Sequence, residues 1–146
     1  MNKKKIIVRI LIVLWLCLIW GHSLQPSSIS DRESGAILQF LIKTFPTIFN
    51  NESGMFIVRK TAHFLEFMVL GILLCSEFIS HVHGALKRFL VPAMAGLFVA
   101  FIDETIQLFV AGRSGEVRDM WIDFSGVLLG TLITMAISNN RRSKRR

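Results

Sequence analysis

Three long apolar stretches of this chain carry ionisable side chains inside them. His63 and Glu66 open one, with Arg59 and Lys60 just ahead of them. Asp103, Glu104 and Gln107 lie near the end of the next, and Asp119 and Asp123 open the last. A charge within a membrane-spanning helix is costly, so by default it marks a site or a structural partner. The spacings are helical. Arg59 and His63 are four apart, and His63 and Glu66 three apart. Asp103 and Gln107 are four apart, Glu104 and Gln107 three, and Asp119 and Asp123 four, so each set shares one helix face.

These residue types suit particular chemistry. A histidine beside a carboxylate is a general acid–base arrangement. Facing carboxylates hold their pKa values apart or bind a divalent cation. Arginines at a pocket mouth clamp a phosphate or carboxylate. On this reading His63 and Glu66 handle protons, and Arg59 and Arg113 bind an anionic headgroup. Asp103, Glu104, Asp119 and Asp123 position the others or hold a cation. The candidate catalytic set is therefore His63, Glu66, Asp103, Glu104 and Asp123. The candidate binding set is Arg59, Gln107, Arg113 and Asp119. There is no His-Glu-x-x-His zinc motif, no Gly-x-Ser-x-Gly elbow and no phosphate-binding glycine loop. One histidine among carboxylates has no ligand spacing, so no metal is assigned and no cofactor is named. A structural reading stands beside the chemical one. Five carboxylates nearly balance Arg59, Lys60, Arg113, Arg118 and a protonated His63, and such an ion network locks helices into register.

The elements that must position these groups read as membrane spans. The 146 residues are 52% hydrophobic, with mean hydropathy +0.53. About 20 apolar residues cross about 30 Å of hydrocarbon. Four segments qualify, approximately residues 6–24, 62–79, 89–110 and 120–138, followed by a basic tail at 139–146. Together they leave room for a single membrane domain and no separate soluble one. The predicted fold is all-α, an integral membrane bundle of four transmembrane helices. Pro26 ends the first span, and the polar residues 27–34 read as a turn. Ile37, Leu38, Leu41, Ile42, Phe45, Ile48 and Phe49 then recur at helical spacing, interrupted by Pro46. This segment is too short to span, and the expectation is an interfacial amphipathic helix between spans 1 and 2. Residues 50–54 read as a loop. Gly126 and Gly130 have the small-xxx-small spacing that lets helices approach closely.

The net charge of +7 is distributed by topology. Eleven of the 17 Lys and Arg residues fall at residues 3–9, 87–88 and 141–146, all on one side of a four-span chain. That positive-inside pattern predicts a multi-pass membrane protein with both termini cytoplasmic. It also predicts contact with anionic lipid rather than nucleic acid, for which no groove-reading module exists. The polar groups then converge at the outer face, each within about 10 Å of the boundary at about 1.5 Å rise per residue. The first span is preceded by lysines as in a signal peptide, but residues 20–23 make a poor cleavage site, so it reads as an uncleaved anchor. Cys17 and Cys75 are isolated thiols in apolar runs and read as core residues. His81 and His83 read as solvated loop residues.

Several short motifs occur in a fixed order. They are Ser23-Leu24-Gln25-Pro26, then Arg59-Lys60-Thr61-Ala62-His63-Phe64-Leu65-Glu66-Phe67, then Asp103-Glu104-Thr105-Ile106-Gln107. Gly112-Arg113-Ser114-Gly115 follows, and last Asp119-Met120-Trp121-Ile122-Asp123 with Gly126 and Gly130. This ordered set resembles the VanZ-like family of small bacterial membrane proteins over most of residues 20–130. Ser125 departs from the asparagine of many relatives. The resemblance implies a multi-span membrane protein, and the founding member is associated with low-level teicoplanin resistance. The expected function is an envelope protein that recognises or modifies an amphiphile at the outer face, linked to glycopeptide susceptibility. The expected partners are membrane lipids and a lipid-linked envelope precursor or lipoglycopeptide. The alternative is a non-enzymatic membrane scaffold whose polar network is structural. Neither the reaction nor the oligomeric state is read from the sequence.

Overall fold

The computed structural model describes residues 3–44 and 54–143. The expectations placed on Phe45, Pro46, Ile48, Phe49 and residues 50–53 lie outside the described residues. Within them the chain is helical: α1 (Lys3–Ser23), α2 (Ser27–Thr44), α3 (Gly54–Phe78), α4 (Ala85–Gln107) and α5 (Val117–Ser143). Four of these helices, all but α2, are long and apolar enough to cross a bilayer. The fold is the expected four-span bundle.

Two boundaries differ from expectation. Residues 27–34 are not a turn but the first half of α2. The Pro26 carbonyl accepts bonds from the Ile29 and Ser30 amides at 3.1 and 3.3 Å, so the turn at Pro26 runs straight into helix. Polar composition mimics a turn locally, but serine is well suited to a helix start. Helix α3 begins at Gly54, eight residues before the expected start of the second span. Arg59 and Lys60 are thus already helical. Positive charge ends a hydrophobic run without ending a helix.

Close backbone packing builds the core. Helices α3 and α5 both start at the same end of the bundle and run side by side. A Cβ on Gly126 would strike Phe64 O and come within 3.0 Å of Met68 N. One on Gly130 would strike Met68 O and come within 2.9 Å of Ile72 N. Val127, between the two glycines, is fully buried against Gly71 of α3 and Gly96 of α4. Phe67, Leu70, Val99 and Ala100 complete this centre, and Ile19 of α1 joins it. Outward positions such as Leu14, Phe98, Phe101, Leu132 and Ile137 stay exposed, as a lipid-facing surface requires. Cys75 is buried, whereas Cys17 lies on the outer surface of α1, contrary to its reading as a core thiol. The surrounding hydrocarbon, rather than protein, takes up the apolar residues of that helix.

The two ends of the bundle differ. At one end Arg9 pairs with Glu77 at 2.8 Å and Lys5 lies 3.4 Å from His81. His81 and His83 are both exposed there. At the other end, the C-termini of α1 and α4 meet the N-termini of α3 and α5, with α2 beside them. The candidate residues sit at this end.

Candidate functional site

Helix spacing and the parallel start of α3 and α5 form a short ladder. Lys60 of α3 pairs with Asp119 of α5, and one turn deeper His63 Nδ1 lies 3.7 Å from Asp123 Oδ1. Asp119 stands in the first turn of α5, where the helix dipole favours a carboxylate. Asp123 is fully buried, and neither of its oxygens has a hydrogen-bond partner among the described residues.

The third wall is α4. Asp103 is fully buried. Gln107 Nε2 donates to Asp103 Oδ2 at 2.9 Å and to Glu104 Oε1 at 3.4 Å. The Glu116 backbone N–H donates to Glu104 Oε2 at 2.8 Å, which ties α4 to the entry of α5. Here Asp103, Glu104 and Gln107, four and three apart in sequence, do share one buried face.

Helix α1 adds His22, Ser23 and Trp15, none of which the sequence reading placed among the candidate site residues. Ser23 Oγ donates to Asp103 Oδ1 at 2.5 Å. His22 Nδ1 lies 2.8 Å from Glu66 Oε1, and Trp15 Nε1 donates to the Glu66 carbonyl at 2.9 Å. Thus Glu66 faces His22 rather than His63 as its nearest imidazole. Helix α2 supplies Asp31, which pairs with Arg59 at 3.0 Å. The signals were present. His22 and Ser23 end a span at the same depth as the other polar groups, and Asp31 stands one turn into a segment read as a turn.

Arg113, on the loop between α4 and α5, donates from Nε to the Gln25 carbonyl at 2.9 Å and from Nη2 to the His22 carbonyl at 3.0 Å. Gln25 lies between α1 and α2, and the His22 carbonyl also accepts the Gln25 amide at 3.2 Å, so Arg113 clasps the turn that ends α1. Burial first, and then the neighbouring Arg59 cation, pull the Arg113 guanidinium below its ordinary value. Gly112, at φ 74°, packs against Ser27 and brings this loop down on the α1–α2 junction. Arg118 sits in the first turn of α5, not on the loop, with its guanidinium 3.3 Å from Glu116. Ser125 Oγ bonds the Ile122 carbonyl of its own helix and is exposed, outside this constellation.

Two cavities open among these groups. One of about 180 Å³ is lined by His22, Ser34, Arg59, His63, Glu66 and Arg113, among others. The other, of about 410 Å³, carries Arg59, Lys60, Arg113 and Arg118 against Glu116 and Asp119. Phe56 lies under two of these cations, 5.3 Å from Lys60 Nζ and 5.1 Å from Arg118 Cζ. Phe56 and Lys60 also border an apolar groove with Ile57, Phe64 and Ile122. Of the nine candidate residues, half-buried His63 and fully buried Asp103 and Asp123 form the centre. Glu104, Gln107 and Asp119 lie around it, and Arg59, Glu66 and Arg113 line the cavities. The geometry suits anion capture at the mouth and proton or cation handling beneath.

No curated protein and no solved structure matches the chain. A family model described as VanZ/LLP1 matches residues 8–138. The match runs from the first span nearly to the end of the fourth and takes in all four walls of the polar end, so the chain belongs to the VanZ/LLP1 family.

Proposed function

We propose that this protein is a multi-pass protein of the bacterial plasma membrane that captures an amphiphile with an anionic headgroup at the outer face. The observation supporting this reading is the larger cavity. Its four cations outnumber its two carboxylates, and it runs into an apolar groove through Phe56 and Lys60. A phosphate or carboxylate fits the cations, and an acyl or prenyl chain fits the groove. The Arg59–Asp31 and Arg118–Glu116 pairs are substantially exposed. Such pairs are weak and exchange readily for an incoming anion. The adjoining cavity holds His22, His63 and Glu66, the groups an acid–base step on a bound headgroup would use. Lipid-linked envelope precursors and lipoglycopeptides both have the required chemistry, and capture of either alters glycopeptide susceptibility of the teicoplanin type. The test is a deletion strain complemented with wild type or Arg59→Ala/Arg118→Ala. At equal membrane abundance the variant fails to restore glycopeptide susceptibility to its wild-type value. Full restoration by the variant removes the proposal.

We infer this orientation from the positive-inside rule: Lys3, Lys4, Lys5, Arg9, Lys87 and Arg88 stand in the opening turns of α1 and α4, toward the end of the bundle away from the cavities. In a protein with Cys17 and Cys75 replaced by alanine, a cysteine at Ser114 is labelled by an impermeant maleimide on intact cells. One at His83 is labelled only after permeabilisation. The reverse pattern would place the polar cavities in the cytoplasm.

The scaffold reading is favoured by a different observation: Arg113 is already committed to two backbone carbonyls and Asp103 to Ser23 and Gln107. Under it, His63→Gln at normal abundance retains the wild-type phenotype. Under capture and acid–base handling, that variant loses it.

A further inference from the structure

Asp123 poses a physical problem that neither reading resolves. It is fully buried, and both carboxylate oxygens lack hydrogen-bond partners among the described residues. The nearest cationic candidate, His63 Nδ1, is 3.7 Å away, beyond hydrogen-bond distance. A lone carboxylate out of water is among the costliest groups a fold can hold, and it is protonated, paired or bound to a metal. The neighbours favour the last. One ligand atom from each of His63, Asp103 and Asp123 lies within 4.8 Å of the others. A metal with bonds near 2.1 Å holds its donors about 3–4 Å apart, so small side-chain rotations close the set.

We propose that His63 of α3, Asp103 of α4 and Asp123 of α5 bind one divalent transition-metal ion. Two carboxylates match the charge of a dication. The imidazole favours zinc or another late first-row ion over magnesium and calcium, which prefer all-oxygen sites, and the carboxylates also accommodate manganese. Asp103 is already oriented for the task. Ser23 Oγ holds Oδ1 at 2.5 Å and Gln107 Nε2 holds Oδ2 at 2.9 Å. Each oxygen keeps a lone pair, and such outer partners are typical of metal-binding carboxylates. His63 also lines the 180 Å³ cavity, which gives an ion a route from water. Three protein ligands leave a coordination position for water or a ligand oxygen. The ion would tie together the three central helices, which no single ion pair here does. This site stands independently of anion capture by Arg59 and Arg118, but an ion on His63 takes that imidazole out of the acid–base role. A protein that binds metal but no lipid keeps the first and loses the second.

The test uses full-length protein purified in detergent, stripped with a chelator, desalted and titrated separately with Zn²⁺, Mn²⁺, Mg²⁺ and Ca²⁺. Metal is counted by elemental analysis, and affinity is read by calorimetry. Wild type takes up one zinc or manganese ion per chain, and metal raises its unfolding temperature. Asp123→Asn and His63→Gln each weaken binding by at least about 10-fold and abolish the thermal shift. Should Asp123→Asn fail to accumulate, His63→Gln carries the comparison, because its side chain is partly exposed at the cavity wall. Folded wild type that retains no stoichiometric ion overturns the proposal. So does His63→Gln binding as tightly as wild type, which would locate the ion elsewhere. Stoichiometric uptake of magnesium or calcium alone overturns the transition-metal assignment.

Discussion

Gly130→Ile strongly destabilises the bundle. A Cβ at this position already meets the Met68 and Ile72 backbone of α3, so the two helices must separate before any side chain fits. Overpacking that can be relieved by side-chain movement costs about 1–3 kcal/mol. Here the obstruction is backbone, and the cost is at least about 3 kcal/mol, or roughly 10 °C in unfolding temperature for a domain this size. Separation also pulls Asp119 from Lys60 and Asp123 from His63, so the polar end is lost with the core. Gly21→Ile is the matched control, because nothing lies within 4 Å of a Cβ there. Thermal unfolding in detergent distinguishes them. Equal stability of the two variants would mean that α3 and α5 do not pack through Gly130.

Lys60→Met has the next largest effect. Lys60 and Asp119 are both mostly buried, and Asp119 Oδ1 is already without a partner among the described residues. Removing the ammonium leaves the Asp119 carboxylate without its ion-pair partner. Breaking a buried pair from one side costs about 3 kcal/mol, because the surviving charge is uncompensated. Lys60→Met/Asp119→Asn removes both charges and recovers at least about 1 kcal/mol of that loss. Thermal unfolding of the four proteins in the cycle gives the coupling directly. If the double variant is less stable than Lys60→Met, Asp119 does more for the fold than answer Lys60.

The spans and the convergence of the polar groups could be read from the chain before its structure. The spans were legible because each is a long and mostly apolar run, and membrane crossing constrains length as well as composition. The convergence of His63, Asp103 and Asp123 was legible because ionisable residues are conspicuous there, and an alternating topology brings their depths together. Gly126 and Gly130 announced their packing by spacing alone. What escaped depends on tertiary partners. Residues 27–34 are as polar as a loop, and their helix is evident only once Asp31 meets Arg59. His22 and Ser23 look like the frayed end of a span until Glu66 and Asp103 come within 2.8 and 2.5 Å of them. Arg113 looked like a free headgroup ligand. Its two bonds to carbonyls of the α1–α2 junction are backbone contacts, which side-chain patterns do not reveal. The unpartnered state of Asp123 likewise follows from distances, not from residue types.

Capture of an anionic amphiphile at the polar end is tested most directly by binding. Wild type and Arg59→Ala/Arg118→Ala are reconstituted in nanodiscs of zwitterionic lipid, and a polyprenyl phosphate, an anionic phospholipid and a lipoglycopeptide are titrated into each. The account predicts saturable binding of at least one of these to wild type. It also predicts binding about 10-fold weaker in the variant, the loss expected for charge-assisted contacts. No saturable binding to folded wild type, or equal binding by the two proteins, would contradict it.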